Sequence, residues 1–136
     1  MIDLQYLLVI LSGCGRFFQG TPSEMLSNMN ILSSLTDKTL IYCGHEYTIS
    51  NLQWAIGINY ETEIIIKRLE IESEKIKNGE FTIPDSVAEE KKTNLFMRCR
   101  EEKFIEHLKA KDAADAMGIL RKMKDLKMGF LDYLKL

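Results

Sequence analysis

An isolated histidine, His45, stands directly behind a short apolar run and a glycine. Residues 40–43 are too few for a helix and are typical of a buried strand, and Gly44 lets the backbone turn sharply after them. His45 would then project from the end of a strand, with Tyr47 beside it, where an imidazole could act as a ligand. A histidine in this position is also often a structural residue that is held by hydrogen bonds.

A second candidate stretch, residues 12–21, follows another apolar run. Two glycines one residue apart, Gly13 and Gly15, permit a tight backbone turn close to a ligand. If the segment is extended, Arg16 and Phe18 point to the same side, because side chains alternate along an extended chain. An ordinary turn would have the same sequence, so the pattern alone leaves both interpretations open.

Two basic residues near the C-terminus, Arg121 and Lys124, lie three positions apart on a predicted helix that starts at Asp112. Residues at this spacing share one helix face, so a guanidinium and an ammonium can converge on one carboxylate, a geometry suited to a peptide-like anion. A basic, solvated helix end would show the same pattern.

Four segments in this order resemble the glyoxalase II family, the hydroxyacylglutathione hydrolases: GCGRFFQGT, YCGHEYT, AEEKKTNLFMR and LRKMKD. The resemblance covers only the C-terminal half of such an enzyme. It implies that the intact protein hydrolyses the thioester of S-D-lactoylglutathione to D-lactate and glutathione. It also implies a binuclear zinc or iron centre, which generates a hydroxide near neutral pH and polarises the thioester carbonyl.

The resemblance implies a role for each candidate residue. His45 matches a metal ligand of the family. Tyr47 and Arg16 would line the substrate pocket. Arg121 and Lys124 match an arginine and lysine pair that binds a glutathione carboxylate. These five positions and Phe18 would therefore bind the substrate, and His45 would also bind metal.

The sequence departs from the family pattern at two positions. Phe18 stands where some members have a tyrosine, so we expect a packing wall there and the loss of one hydrogen bond, worth about 0.5–1.5 kcal/mol. Leu95 replaces the proline of the NPFMR motif, so the turn there is expected to be less rigid.

The metal centre of the family cannot be completed from this sequence. The THxHxDH motif that holds most of the two metals has no counterpart, and the other histidine, His107, is expected to be structural. The register of the family's bridging aspartate falls on Leu7. We therefore expect this chain alone to be inactive. Three hypotheses stay open: a truncated thioesterase, a non-catalytic glutathione-binding or interaction module, and a chain whose missing metal ligands come from a partner chain.

The predicted fold class is α+β. By resemblance, residues 1–47 are remnant strands and a helix of a metallo-β-lactamase-like αββα domain, and residues 48–136 form an all-helical glutathione-binding domain. Apolar runs predict strands at 4–11 and 40–43. Periodicity and capping signals predict helices at 48–57 and 61–78. They also predict one helix that begins near Thr21 and one that begins at Asp112.

Charged residues of the predicted helices are assigned to the surface. In the 61–78 helix we expect Ile76 inward and Arg68 and Glu72 outward, as part of a solvated face. Arg98 could belong to a pocket for an acidic ligand, but the surface is favoured because arginines are mostly exposed.

The composition argues against several classes of partner. A net charge of −2 and a pI near 5.7 are too acidic for nucleic acid or an anionic membrane to be the main partner. The apolar run at 4–11 is too short to span a bilayer and lacks a preceding basic region, so neither a transmembrane helix nor a signal peptide is expected. Cys14, Cys43 and Cys99 form no CxxC pair, which fits reduced thiols in the cytoplasm, with mitochondria as the alternative compartment.

Overall fold

The computed structural model describes residues 9–10, 12–16 and 20–136. The predicted strand at 4–11 is therefore described only at Val9–Ile10, which is a strand. Phe18 lies outside the described residues, so its predicted role as a packing wall stays a prediction.

Helices dominate the described part of the chain. They are α1 Pro22–Ser34, α2 Thr48–Ile56, α3 Thr62–Lys77, α4 Val87–Thr93, a 3-10 turn at Leu95–Arg98, α5 Glu102–His107, α6 Ala113–Asp125 and α7 Phe130–Tyr133. Two antiparallel strand pairs accompany them, β1 Val9–Ile10 with β2 Gly13–Cys14 and β3 Leu40–Ile41 with β4 Asp85–Ser86. This mostly helical architecture is compatible with the predicted C-terminal helical domain. The metallo-β-lactamase-like remnant and the boundary at residue 47 stay predictions.

The predicted helix starts are confirmed, because their signals are local. At α1 the Thr21 hydroxyl accepts a hydrogen bond from the Glu24 N–H at 3.3 Å, and the Glu24 carboxylate accepts one from the Thr21 N–H at 2.7 Å. At α6 the Asp112 carboxylate accepts the Asp115 N–H at 2.8 Å. Reciprocal and single caps of this kind satisfy N–H groups that the first helical turn leaves without partners.

Strand β3 is shorter than predicted and is only partly buried. Ile41 is buried, but Leu40 is 52% exposed, and the strand ends two residues before Cys43. Its partner is β4, with Leu40 opposite Ser86 and Ile41 opposite Asp85. Because β4 lies immediately before α4, its pairing with β3 joins the segment that carries His45 to the helical part of the chain.

The apolar core lies between two helix pairs, α2 against α3 and α1 against α6. Its fully buried large side chains include Met29, Leu52, Ile65, Phe96, Phe104, Met117 and Leu120. Burying a side chain of this size stabilises the fold by about 1.5–3 kcal/mol. The core fixes α6, and with it the Arg121 and Lys124 positions, relative to α1 and α2.

Arg68 and Glu72 are buried, so their predicted place on a solvated face is wrong. Arg68 donates to the Glu90 carboxylate at 2.7 Å and to the Asp85 carboxylate at 2.7 Å. Glu72 lies one turn along α3, with an oxygen 4.0 Å from the Arg68 Nε. Asp85 and Glu90 face α3 from β4 and α4, so the face predicted to be solvated packs inward. The opposite error occurs at Ile76, which is 46% exposed instead of buried.

Arg98 is also buried, which corrects its predicted surface position. Its guanidinium donates to the carboxylates of Glu61 and Glu101 and to the Lys92 carbonyl, and it lies 5.0 Å from the centre of the Tyr60 ring. A buried guanidinium needs such partners because an unpaired buried charge is costly. Through Glu61, these contacts of Arg98 join the 3-10 turn to the start of α3.

His107 packs inside the helical part, in agreement with its predicted structural role. Its Nε2 lies 2.8 Å from the Ile58 carbonyl oxygen, and its ring stacks on Phe130 with 4.4 Å between centroids. The Phe130 N–H donates to the Gly57 carbonyl at 3.0 Å. The end of the chain is thereby joined to the end of α2.

The cysteines are not joined by disulfides, and Cys14 and Cys99 are buried. Burial raises the pKa of the Cys14 thiol to about 12. Across residues 9–10, 12–16 and 20–136, no helix has the length and apolar character needed to cross a bilayer. The compartment stays a prediction.

Candidate functional site

A basic groove opens beside α6, where the helix meets the start of α1 and the 12–16 segment. It encloses about 510 Å³ and is lined by Arg16, Gly20, Pro22, Gly118, Arg121, Lys122, Asp125 and Leu126. Three of these side chains are cationic, and one is a carboxylate. The groove is therefore suited to an anionic ligand of the size of a short peptide.

Arg121 connects α6 to the 12–16 segment. Its Nη1 donates to the Cys14 carbonyl at 2.8 Å and to the Gly15 carbonyl at 3.4 Å, and its Nε and Nη2 donate to the Asp125 carboxylate at 2.9 and 2.6 Å. These bonds engage all three nitrogens of a group that has five N–H donors. Most of the N–H donors of Arg121 are thus bonded to protein groups, and few remain for a ligand.

Lys124 lies on the same side of α6 and keeps more of its donors. Its Nζ donates to the Asn51 side-chain oxygen at 2.7 Å and lies 4.5 Å from the centre of the Trp54 ring. An ammonium has three donors, so a ligand carboxylate can still be bound. Burial, together with the nearby Arg121 charge, lowers the pKa of Lys124 to about 8.

Gly13 allows the 12–16 segment to lie close to α2. A Cβ at this position would come within 3.0 Å of the Asn51 side-chain nitrogen. Since Asn51 also accepts from Lys124, the glycine brings the segment and the Lys124 ammonium to the same small region. A larger residue would push the two apart.

Arg16 is an exposed cation of the groove, as is Lys122. Its side chain is 65% exposed, and its Nε lies 3.6 Å from the same Asp125 oxygen that Arg121 holds. Asp125 therefore stands between the two guanidiniums and partly neutralises them. The structure thus places Arg16 and Arg121 in one groove, whose lining residues do not include Lys124.

His45 and Tyr47 lie elsewhere, on the exposed segment after β3. Their rings stack with 5.1 Å between centroids, beside a shallow pocket of about 230 Å³ that is lined by Cys43, Gly44, His45, Glu46, Phe81 and Ile83. This pocket and the basic groove share no lining residue. The structure therefore does not bring His45 and Tyr47 into the groove.

The residues around His45 do not fit a binuclear metal centre. The carboxylate of the adjacent residue, Glu46, accepts the Thr82 N–H at 3.0 Å and the Thr82 hydroxyl at 2.7 Å. Within the described ranges, no group of three or more His, Cys, Asp or Glu side chains is arranged to hold a metal ion. No hydrolytic step is therefore assigned to these residues.

Three residues of the groove region were missed by the sequence interpretation. Asn51 and Trp54 are one turn apart on α2, and both contact Lys124. Asp125 lies four positions after Arg121, the spacing at which helical ion pairs form, so it could have been found. For Asn51 and Trp54 no local signal existed, because their partner is far along the chain.

The comparison with known proteins agrees with these motifs. Residues 46–126 match the family model described as hydroxyacylglutathione hydrolase C-terminus. The chain is 50% identical over 101 residues to a hydroxyacylglutathione hydrolase of Prochlorococcus marinus (strain MIT 9211), covering 74% of this chain and 40% of that protein. It is 37% identical over 128 residues to the hydroxyacylglutathione hydrolase of Dictyostelium discoideum, covering 86% and 48% of the two chains. A probable hydroxyacylglutathione hydrolase of Schistosoma mansoni is 36% identical over 118 residues, with 86% and 49% covered.

The chain spans about half the length of the curated relatives that it matches. The matched family model describes the C-terminal part of those proteins and covers more than half of this chain. The four resembling motifs and the family match therefore lead to the same assignment. This chain belongs to the hydroxyacylglutathione hydrolase family.

Proposed function

We propose that this chain binds the glutathione part of a glutathione thioester, and that the activity it serves is hydrolysis of S-D-lactoylglutathione to D-lactate and glutathione. One observation carries the proposal. The Lys124 ammonium is fixed by Asn51 and Trp54, on the helix face that also carries Arg121, beside a groove with a further exposed cation, Arg16.

The chemistry of glutathione suits this arrangement. The tripeptide carries two carboxylates, and a carboxylate is bound most strongly by charged donors that are already oriented. Lys124 is held in place and retains donors, whereas Arg16 is exposed and can follow the ligand. Lys124 would therefore supply the fixed contact and Arg16 an adjustable one, while Arg121 maintains the groove.

Binding the tail of the substrate contributes to hydrolysis by positioning. A thioester whose peptide end is held in one place spends more time in reach of the reacting groups, and oriented reactions gain several kcal/mol in this way. The binuclear zinc or iron centre that the resemblance implies needs ligands beyond the described residues. His45 would supply one ligand from this chain, and by the third hypothesis a partner chain would supply the others.

Calorimetric titration of the 136-residue chain with S-methylglutathione tests the binding role. Lys124→Ala should weaken binding at least tenfold, because a charged hydrogen bond contributes about 1.5–3 kcal/mol. Arg121→Ala should also weaken binding by about tenfold, because it removes the bonds that join α6 to the 12–16 segment beside the groove. Lys103→Ala, which removes an exposed lysine from α5, is the charge-matched control and should change nothing. Unchanged affinity in both Lys124→Ala and Arg121→Ala would contradict the proposal.

An assay of S-D-lactoylglutathione hydrolysis, with and without added zinc, iron or manganese, separates binding from catalysis. We expect binding without turnover from this chain alone. If no partner restores turnover, that result favours a non-catalytic glutathione-binding module. Metal-dependent turnover that is lost in His45→Ala would instead mean that this chain assembles a complete active site.

A further inference from the structure

The 12–15 segment is held from the protein interior by two side chains, Glu90 on α4 and Asn94 just after it. The Ser12 N–H donates to both oxygens of the Glu90 carboxylate, at 3.1 and 3.0 Å. The Asn94 amide nitrogen donates to the Gly13 carbonyl at 3.0 Å and to Glu90 at 2.8 Å. The Glu90 side chain is fully buried. Its hydrogen bonds come from N–H groups of Ser12, Arg68 and Asn94.

Ser12 needs such a hold because its backbone is in the left-handed region, with φ of 61°. This conformation is unfavourable for residues other than glycine and persists only where the surroundings enforce it. The two contacts to Glu90 fix the N–H of this residue. Without them, we expect the segment to relax toward an ordinary backbone conformation.

The same segment faces the groove on its other side. The carbonyls of Cys14 and Gly15 accept from Arg121, and the next residue is Arg16. A displacement of Ser12 would therefore move the acceptors that orient Arg121 and the backbone that carries Arg16. Residues 12–15 therefore connect the Glu90 contact in the interior to Arg121 beside the groove.

Pairing with Arg68 does not by itself account for Glu90. Arg68 also has Asp85 at 2.7 Å, so two carboxylates share one guanidinium, while Glu72 lies 4.0 Å from Arg68 and pairs with Lys75 at 3.1 Å. Such an excess of buried negative charge is costly unless other donors stabilise it. The additional donors at Glu90 are the Ser12 N–H and the Asn94 amide.

We propose that Glu90 is a positioning residue for ligand binding: it fixes Ser12, and through the 12–15 backbone it sets the positions of Arg121 and Arg16. Glu90 does not touch the ligand. The inference rests on the proposed function, since it concerns affinity for the glutathione part of the substrate. It adds a residue from the interior of the helical part to the determinants of that affinity.

The test compares Glu90→Gln with Glu72→Gln. Both substitutions remove one negative charge near Arg68, but only Glu90 contacts the 12–15 segment. Affinity for S-methylglutathione, followed by fluorescence of Trp54, should fall about tenfold in Glu90→Gln and stay unchanged in Glu72→Gln. Hydrogen exchange of the Ser12 amide should accelerate only in Glu90→Gln. A purely stabilising role would lower the melting temperature of both variants and leave the affinity of the folded protein unchanged.

Ser12→Gly supplies a rescue. Glycine adopts a positive φ without the steric cost, so the double variant Ser12→Gly with Glu90→Gln should regain part of the lost affinity. If Glu90→Gln does not fold, Asn94→Ala removes the bond to the Gly13 carbonyl and should weaken binding about threefold.

Equal affinities of Glu90→Gln and the unmodified chain would overturn the inference alone, as would an equal loss in Glu72→Gln. Unchanged affinity in Asn94→Ala would overturn it where Glu90→Gln cannot be measured. Failure of the unmodified chain to bind S-methylglutathione overturns the proposed function and the inference with it.

Discussion

Two buried arginines, Arg68 and Arg121, have nearly the same exposure but different surroundings. Arg68 is 4% exposed and Arg121 is 7% exposed. Arg68 is surrounded by carboxylates that are themselves 14% exposed or less, those of Glu72, Asp85 and Glu90. Arg121 has one carboxylate, that of Asp125, which is 40% exposed. Only the second arrangement gives a carboxylate in solution access to the charges, so for these two arginines the exposure of the partner separates the one in the interior from the one beside the groove.

Arg68→Ala should have the largest effect. It would leave the fully buried Glu90 and the 14% exposed Asp85 without their shared cation, and breaking a buried ion pair in this way costs about 3–5 kcal/mol. Urea unfolding followed by circular dichroism measures the free energy of unfolding. Arg100→Ala, which removes an exposed arginine, is the control and should stay within about 0.5 kcal/mol of the unmodified chain. A loss below about 1 kcal/mol in Arg68→Ala would remove the contrast with Arg121.

The pH dependence of ligand binding should come from the Arg121 side of the comparison, through Lys124. Its pKa is lowered to about 8, so the ammonium is charged below pH 8 and becomes neutral above it. Affinity for S-methylglutathione should therefore fall by about tenfold as the pH rises from 7 to 9. Lys124→Arg keeps its charge over this range and should show a flatter profile. The titration of the ligand's own amine affects both proteins alike, so parallel profiles would refute the assignment to Lys124.

Asp125→Asn should have the smallest effect and the opposite sign. Removing the half-exposed carboxylate between Arg16 and Arg121 makes the groove more positive, so an anionic ligand should bind about two- to threefold more tightly. Stability should fall by less than about 1 kcal/mol, because solvent screens this pair. Asp132→Asn, at an exposed aspartate paired with Lys135, should leave affinity unchanged. Weaker binding in Asp125→Asn would show that Asp125 mainly orients Arg121.

The parts of the fold that the sequence predicted depend on contacts within a few residues. The Thr21 and Asp112 caps involve side chains three positions away, so their signals could be read directly. Arg68 and Glu72 were assigned to the wrong face for the converse reason. Their environment is set by Asp85 and Glu90, which come from a strand and a helix farther along the chain. Helical spacing predicts which residues share a face, but it does not say what that face meets.

The candidate site shows the same division. The shared face of Arg121 and Lys124 was predicted from spacing and resemblance, and the structure places both beside the 12–16 segment. The hydrogen bonds from Arg121 to the Cys14 and Gly15 carbonyls could not be predicted, because they depend on how two distant segments pack. The roles of His45 and Tyr47 stay predictions, as does the binding role of the other site residues.

The contacts that build the groove region have a consequence for folding. The bond from Arg121 to Cys14 spans 107 residues, that from Lys124 to Asn51 spans 73, and that from Trp54 to the Met128 carbonyl spans 74. Contacts with such high sequence separation form only after large loops have closed, so they contribute to high contact order and slow assembly. The α1 capping box, by contrast, can form at once. During refolding, ligand binding would therefore return only after these distant contacts have formed. It should recover later than the circular dichroism signal of the helices.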